Sequence, residues 1–161
     1  MAANRDERWT FGHALNVESS SGGTFSRSTL YSKLTLLETQ HNWLLASVPT
    51  PNVTEGWKIA GVMLRYSIRG RAGLIDKIGL RDGDQTIHSF ENLNNGPIAG
   101  WQTLSLPLTP TRTFRYGLGV AIHASYPDNF DPMPLGPTEF LIASVGLAFV
   151  KEGGIAPPTP N

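Results

Sequence analysis

Along residues 114–126 bulky and small side chains alternate without interruption. Phe114, Tyr116, Leu118, Val120, Ile122, Ala124 and Tyr126 take one parity, and Arg115, Gly117, Gly119, Ala121, His123 and Ser125 the other. A period of two is the signature of a strand, because successive side chains leave a strand on opposite faces. The spacing therefore predicts one long strand with a heavy face on a core and a light face turned away from it. The same alternation marks 9–17, where Trp9, Phe11, His13, Leu15 and Val17 oppose Thr10, Gly12, Ala14 and Asn16. In 58–69, Ala60, Val62, Leu64, Tyr66 and Ile68 oppose Met63, Arg65, Ser67 and Arg69. In 74–82, Leu74, Asp76, Ile78 and Leu80 oppose Ile75, Lys77, Gly79 and Arg81.

Shorter extended stretches are expected at 24–31, 43–48, 86–90, 98–108 and 138–150, separated by Ser/Gly, Pro/Thr and Asp/Gly turns. The stretch 28–39 reads two ways. Leu30, Leu34 and Leu37 have helical spacing, and Leu30, Leu34 and Leu36 share a face only in a strand; flanking strands favour the latter. Proline cannot donate to a ladder, so Pro49 and Pro51 end a strand, and Pro107 and Pro110 keep theirs away from a sheet centre. About eight strands with no long helix indicate an all-β, single-domain antiparallel β-sandwich, jelly-roll-like, with a closed β-barrel as the competing architecture. Residues 1–8 read as a flexible N-terminus, 9–150 as the domain, and 151–161 as a disordered proline-rich tail.

Composition narrows the classes of function. The chain has 161 residues, enough for one self-sufficient core, and no cysteine, which excludes disulfides, thiolate metal sites and cysteine nucleophiles. Thirteen basic and thirteen acidic residues cancel, so no broad field attracts nucleic acid or an anionic membrane, and self-association into a homo-oligomer meets little repulsion. No stretch approaches the roughly 20 apolar residues of a membrane span, and the N-terminus lacks a signal pattern. These features read as a cytoplasmic protein whose partners are small molecules.

Trp9 with Gly12-His13, Asn42-Trp43 leading into Val48-Pro49-Thr50-Pro51, Asp82-Gly83, Gly117-Leu118-Gly119-Val120 and the run from Ala143 to Phe149 together resemble a family of short bacterial proteins known only as a domain of unknown function. The resemblance spans most of the domain and implies a compact β-rich fold. It supplies no activity and no site residues.

Candidate chemistry centres on the light face of 114–126. His123 shares that parity with Arg115, Gly117 and Gly119, and side-chain-free positions leave a trough that a ligand can approach. With Arg65 and Arg69 on an adjacent strand, guanidinium forks and an imidazole would border it, suiting an anionic or hydroxyl-rich ligand. The competing reading is a solvated face whose glycines tune curvature. Trp9, Trp43, Trp57 and Trp101 could stack on sugar rings where they reach loop ends, Trp57 and Trp101 lying near turns, although large aromatics also serve as core or interface residues. His13, on a heavy face, reads as structural. Asp82, Asp84, Asp128 and Asp131 offer oxygens for calcium, although turn chemistry explains the same residues, so no metal and no cofactor is expected.

The sequence contains no nucleophile elbow, phosphate loop or dinucleotide fingerprint. Three functions remain: a lectin-like protein binding a carbohydrate or other small polar ligand, a metal-free cyclase or isomerase in which His123 or His88 moves a proton within an apolar cavity, and a structural or assembly subunit.

Overall fold

The computed structural model describes residues 4–19, 22–127 and 136–151. Eleven strands among them form two antiparallel sheets packed face to face. In the first sheet, β3 (Thr24–Arg27), β4 (Ser32–Leu36), β11 (Thr138–Lys151), β6 (Trp57–Arg69) and β9 (Ile98–Arg112) lie in that order. β1 (Asn4–Phe11) joins the same sheet beyond the end of β4, along the second half of β11. The second sheet runs β2 (Asn16–Val17), β5 (His41–Val48), β10 (Leu118–Ser125), β7 (Leu74–Asp82), β8 (Gln85–Phe90). The proline-bearing β9 occupies an edge, pairing only with β6, as a strand short of N–H donors must. The ambiguous stretch 28–39 holds strand β4.

Both sheets turn one parity of aliphatic side chains inward. Leu34, Leu64, Ile68, Phe140, Ile142, Val145, Leu147 and Phe149 from the first meet Leu44, Ile78, Leu80, Val120 and Ile122 from the second, all essentially without solvent exposure. Burying each such side chain contributes about 1.5–3 kcal/mol. The core uses every central strand, and the two sheets keep separate edges rather than closing into a barrel.

Several sequence-based expectations are corrected. Residues 9–17 are not one strand: β1 ends at Phe11, a single 3-10 turn at Gly12–Ala14 crosses the sandwich, and β2 begins in the other sheet. Gly12 is buried against β11, and its carbonyl accepts the Ser32 hydroxyl. Alternation cannot register such a crossing. His13 therefore sits exposed in the turn, stacked on Phe11 at 5.9 Å, instead of facing the core. Residues 4–8 belong to β1 rather than to a flexible lead.

The strand expected at 114–126 spans only Leu118–Ser125. Phe114 and Tyr126 are still buried, but Tyr116 is 60% exposed, because 114–117 form a loop and break the parity. Bulges also shift phase. A bulge between Ile59 and Gly61 turns Ile59, not Ala60, into the core. A second, where β7 passes His123 and Ala124, sends Ile75 inward and leaves Asp76 on the outer side. An extra residue in one strand inverts alternation beyond it.

Candidate functional site

The outer face of the second sheet is a lattice of small and functional side chains. Strand register sets three rows across β5, β10, β7 and, where paired, β8: Ser47, Gly119, Arg81 and Thr86; then Leu45, Ala121, Gly79 and Ser89; then Trp43, His123 and Lys77. Side chains alternate at about 3.3 Å per residue along a strand, so the outer rows lie ~13 Å apart. The middle of the face is low, because Gly79, Ala121 and Gly119 raise nothing above the backbone larger than a methyl.

Trp43 and Leu45 wall this depression on one side, and Arg81, Thr86 and Ser89 on the other, enclosing a cleft of about 360 Å³. It adjoins a cleft of about 370 Å³ that shares Trp43 and Glu18, and one of about 260 Å³ that shares Leu45 and Arg81. The three form a groove along the sheet. The turn at its Trp43 end is pinned by buried Asn42, whose amide donates to the carbonyls of Ser19 at 2.6 Å and Gly22 at 2.8 Å and accepts from the Trp43 N–H at 2.8 Å.

His123 anchors the third row. Its Nδ1 lies 2.5 Å from Asp76 Oδ1, and its ring packs at 4.7 Å on Trp43 and 5.4 Å on His41. A carboxylate on one ring nitrogen orients the imidazole and sets its tautomer. Lys77, beside it, pairs with Glu91 at 3.3 Å. The Ser89 hydroxyl donates to Glu91 at 2.5 Å and, with Lys77, holds its carboxyl below the ordinary carboxylate value.

Residues expected to border His123 lie elsewhere. Arg65 and Arg69 project from β6 in the first sheet, on the opposite side of the sandwich, because β6 pairs with β9 and β11 and not with β10. Their neighbour Ser67 is buried. Trp57 and Trp101 also belong to the first sheet: Trp57 donates to Glu55 at 3.2 Å beneath the Lys151 ammonium, and Trp101 meets Tyr31 at 6.0 Å. Arg115 is in the loop before β10, with its guanidinium over Tyr116. His88 faces Leu80 across the edge pair and packs edge-on against Phe90. Arg69 does line a separate cleft of about 460 Å³ at the ends of β6 and β9, but that cleft has no aromatic wall.

Asp82 is committed to structure. Its two oxygens accept the Arg115 and Tyr116 backbone N–H groups, each at 2.7 Å, and the residue is buried. Asp84 contributes a carbonyl to Arg81. Asp128 and Asp131 lie outside the described residues, and among those described no three His, Asp or Glu side chains cluster to hold a metal. Removing the Asp82 carboxylate strands two amides behind a closed loop. Asp82→Ala is expected to cost about 3 kcal/mol, read as a lowered urea midpoint with unchanged slope, and chelators should leave the wild-type midpoint unmoved.

Sequence reasoning named Trp43 only as one of four tryptophans able to stack on a sugar, and missed Asp76, Lys77 and Arg81. Lys77, Gly79 and Arg81 share one parity within 74–82, which is a usable signal once β7 is known to flank β10. Asp76 gave none, because a bulge puts it on that face.

No family model and no curated protein matches the chain. Among solved structures it is similar to the module CBM61 in complex with β-1,4-galactotriose (12% identity, 87% of this chain and 86% of that one, TM-score 0.45). It is also similar to the carbohydrate-binding module CBM36 in complex with calcium and xylotriose (12%, 86% and 98%, 0.43). A third is a cyclase from Fischerella sp. TAU in complex with 4-(1H-indol-3-yl)butan-2-one (9%, 91% and 91%, 0.49). No helix among the described residues is long and apolar enough to cross a membrane.

Proposed function

We propose that this protein is a carbohydrate-binding β-sandwich whose ligand lies in the groove on the outer face of the second sheet. One observation carries the reading: an open cleft of about 360 Å³ combines an aromatic wall, Trp43, with a floor of Gly79 and Ala121 and a polar wall of Arg81, Thr86 and Ser89. Sugar rings present an apolar face of C–H groups and a rim of hydroxyls. An indole matches the first, and hydroxyl and guanidinium groups match the second. Recognition of this kind asks the sheet only for a rigid, preformed surface, which β5, β10 and β7 provide.

The test is calorimetric titration with a panel of neutral and acidic oligosaccharides, repeated in calcium and in chelator. Saturable binding by at least one member is expected, weakened about tenfold or more in Trp43→Ala. Absence of binding across the panel, or binding indifferent to Trp43→Ala, overturns the proposal.

The Asp76–His123 contact favours a second reading, acid–base chemistry at the same face, since an oriented imidazole with one ring nitrogen committed can move a proton at the other. A bound saccharide recovered chemically unchanged after prolonged incubation with the protein counts against turnover.

A further inference from the structure

Arg81 is the cation on this face without a carboxylate partner among the described residues. Lys77 has Glu91 and His123 has Asp76, whereas Arg81 forms no ion pair among the described residues. The adjacent carboxylate of Asp82 is turned to the other side and spent on two backbone amides. Glu18 lines the same cleft but forms no ion pair with Arg81. One guanidinium hydrogen bond is made, from Nη2 to the Asp84 carbonyl at 3.0 Å. Nε is shielded from solvent and has no acceptor among the described residues.

A guanidinium keeps its charge at any physiological pH, and a shielded donor without an acceptor is disfavoured until something supplies one. Arg81 lines both the central cleft and the one beyond it, so the part of its guanidinium that Asp84 does not occupy, rather than the shielded Nε, is what a ligand meets. Its planar fork matches the two oxygens of a carboxylate, and the Thr86 and Ser89 hydroxyls on the same wall suit the hydroxyls beside it.

We infer that the preferred ligand is an acidic saccharide, a uronic-acid-containing chain whose carboxylate is received by Arg81 while a ring rests against Trp43. This rests on the carbohydrate reading above and adds the class of sugar. Both groups act in one site, because the wall that carries Arg81 faces the wall that carries Trp43 across the floor of Gly79 and Ala121.

The experiment compares oligosaccharide pairs that differ only by oxidation at C6: β-1,4-linked glucuronate trimer against cellotriose, and β-1,4-linked mannuronate trimer against mannotriose. Each is titrated into wild type, Arg81→Gln and Arg81→Lys at low and at high salt. At least one acidic member should bind about tenfold or more tightly than its neutral twin. That preference, the ratio within a pair, should shrink at high salt and vanish in Arg81→Gln, the acidic and neutral members then binding alike. Arg81→Lys, which keeps charge but lacks the fork, should retain only part of it. Thermal melts of the variants confirm that the Asp84 turn has survived.

Equal affinity within every pair, or a preference that persists in Arg81→Gln, overturns the inference and leaves carbohydrate binding standing. Binding by neutral members alone does the same. If no saccharide in this set or the wider panel binds, the carbohydrate reading fails and takes the inference with it.

Discussion

Gly12→Ala is expected to abolish folding, or to lower stability by more than about 4 kcal/mol, a large share of what a domain of this size possesses. A Cβ at Gly12 would stand 1.8 Å from the carbonyl oxygen of Ile142 and 2.8 Å from its carbon. Neither atom can withdraw. Ile142 belongs to β11, held by register on one edge to Ser32 of β4 and on the other to Tyr66 of β6. The close approach exists because the chain passes from one sheet to the other at this point, with Gly12 wedged over the central strand and tied by the Ser32 hydroxyl. Soluble yield and far-ultraviolet circular dichroism of the variant measure the effect. Gly117→Ala is the control: its added methyl meets no atom within 4 Å, and stability should change by less than about 0.5 kcal/mol. A well-folded Gly12→Ala protein would mean that the crossing is placed wrongly.

The second large effect concerns binding. Gly79→Leu is expected to remove saccharide binding, by about a hundredfold or more, while leaving the fold intact. A Cβ built on Gly79 meets only the methyl of Ala121, at 3.8 Å, which is ordinary contact. Replacing glycine inside a strand should if anything stabilise it slightly. The added isobutyl group would fill the floor between Trp43 and Arg81 and hold a ring off both walls. Calorimetry beside a thermal melt separates the outcomes: lost binding with an unchanged melting temperature is expected. Retained affinity would place the ligand elsewhere.

These two glycines also show how far the sequence was legible. Alternation identified the strands that make the core, since inward residues such as Val62, Leu64, Ile78, Leu80, Val120 and Ile122 are chosen by burial and burial is strictly periodic within a strand. It placed His123 on the outer side of β10 for the same reason. Two kinds of information lay outside it. Partnership between strands is non-local, so nothing in 58–69 reveals that β6 joins the sheet opposite His123, and the expected border of Arg65 and Arg69 lies across the sandwich from it. Phase breaks are invisible to a periodic reading as well. The bulge beside His123 moved Asp76 from the expected inner parity to the imidazole, and the crossing at Gly12 cut one apparent strand into two that serve different sheets.

The light face of β10 is bordered by Trp43 of β5 and Arg81 of β7, the strands that flank it. Mapping of amide chemical shifts tests this most directly: the uniformly ¹⁵N-labelled protein is titrated with the tightest-binding oligosaccharide, and perturbed residues are located on the two sheets. Perturbations are predicted to concentrate at Trp43, Leu45, Gly79, Arg81, Ala121 and His123, with the Trp43 indole N–H among the largest. Perturbations centred instead on Arg65, Arg69, Trp57 and Trp101, with the second sheet unmoved, would contradict it.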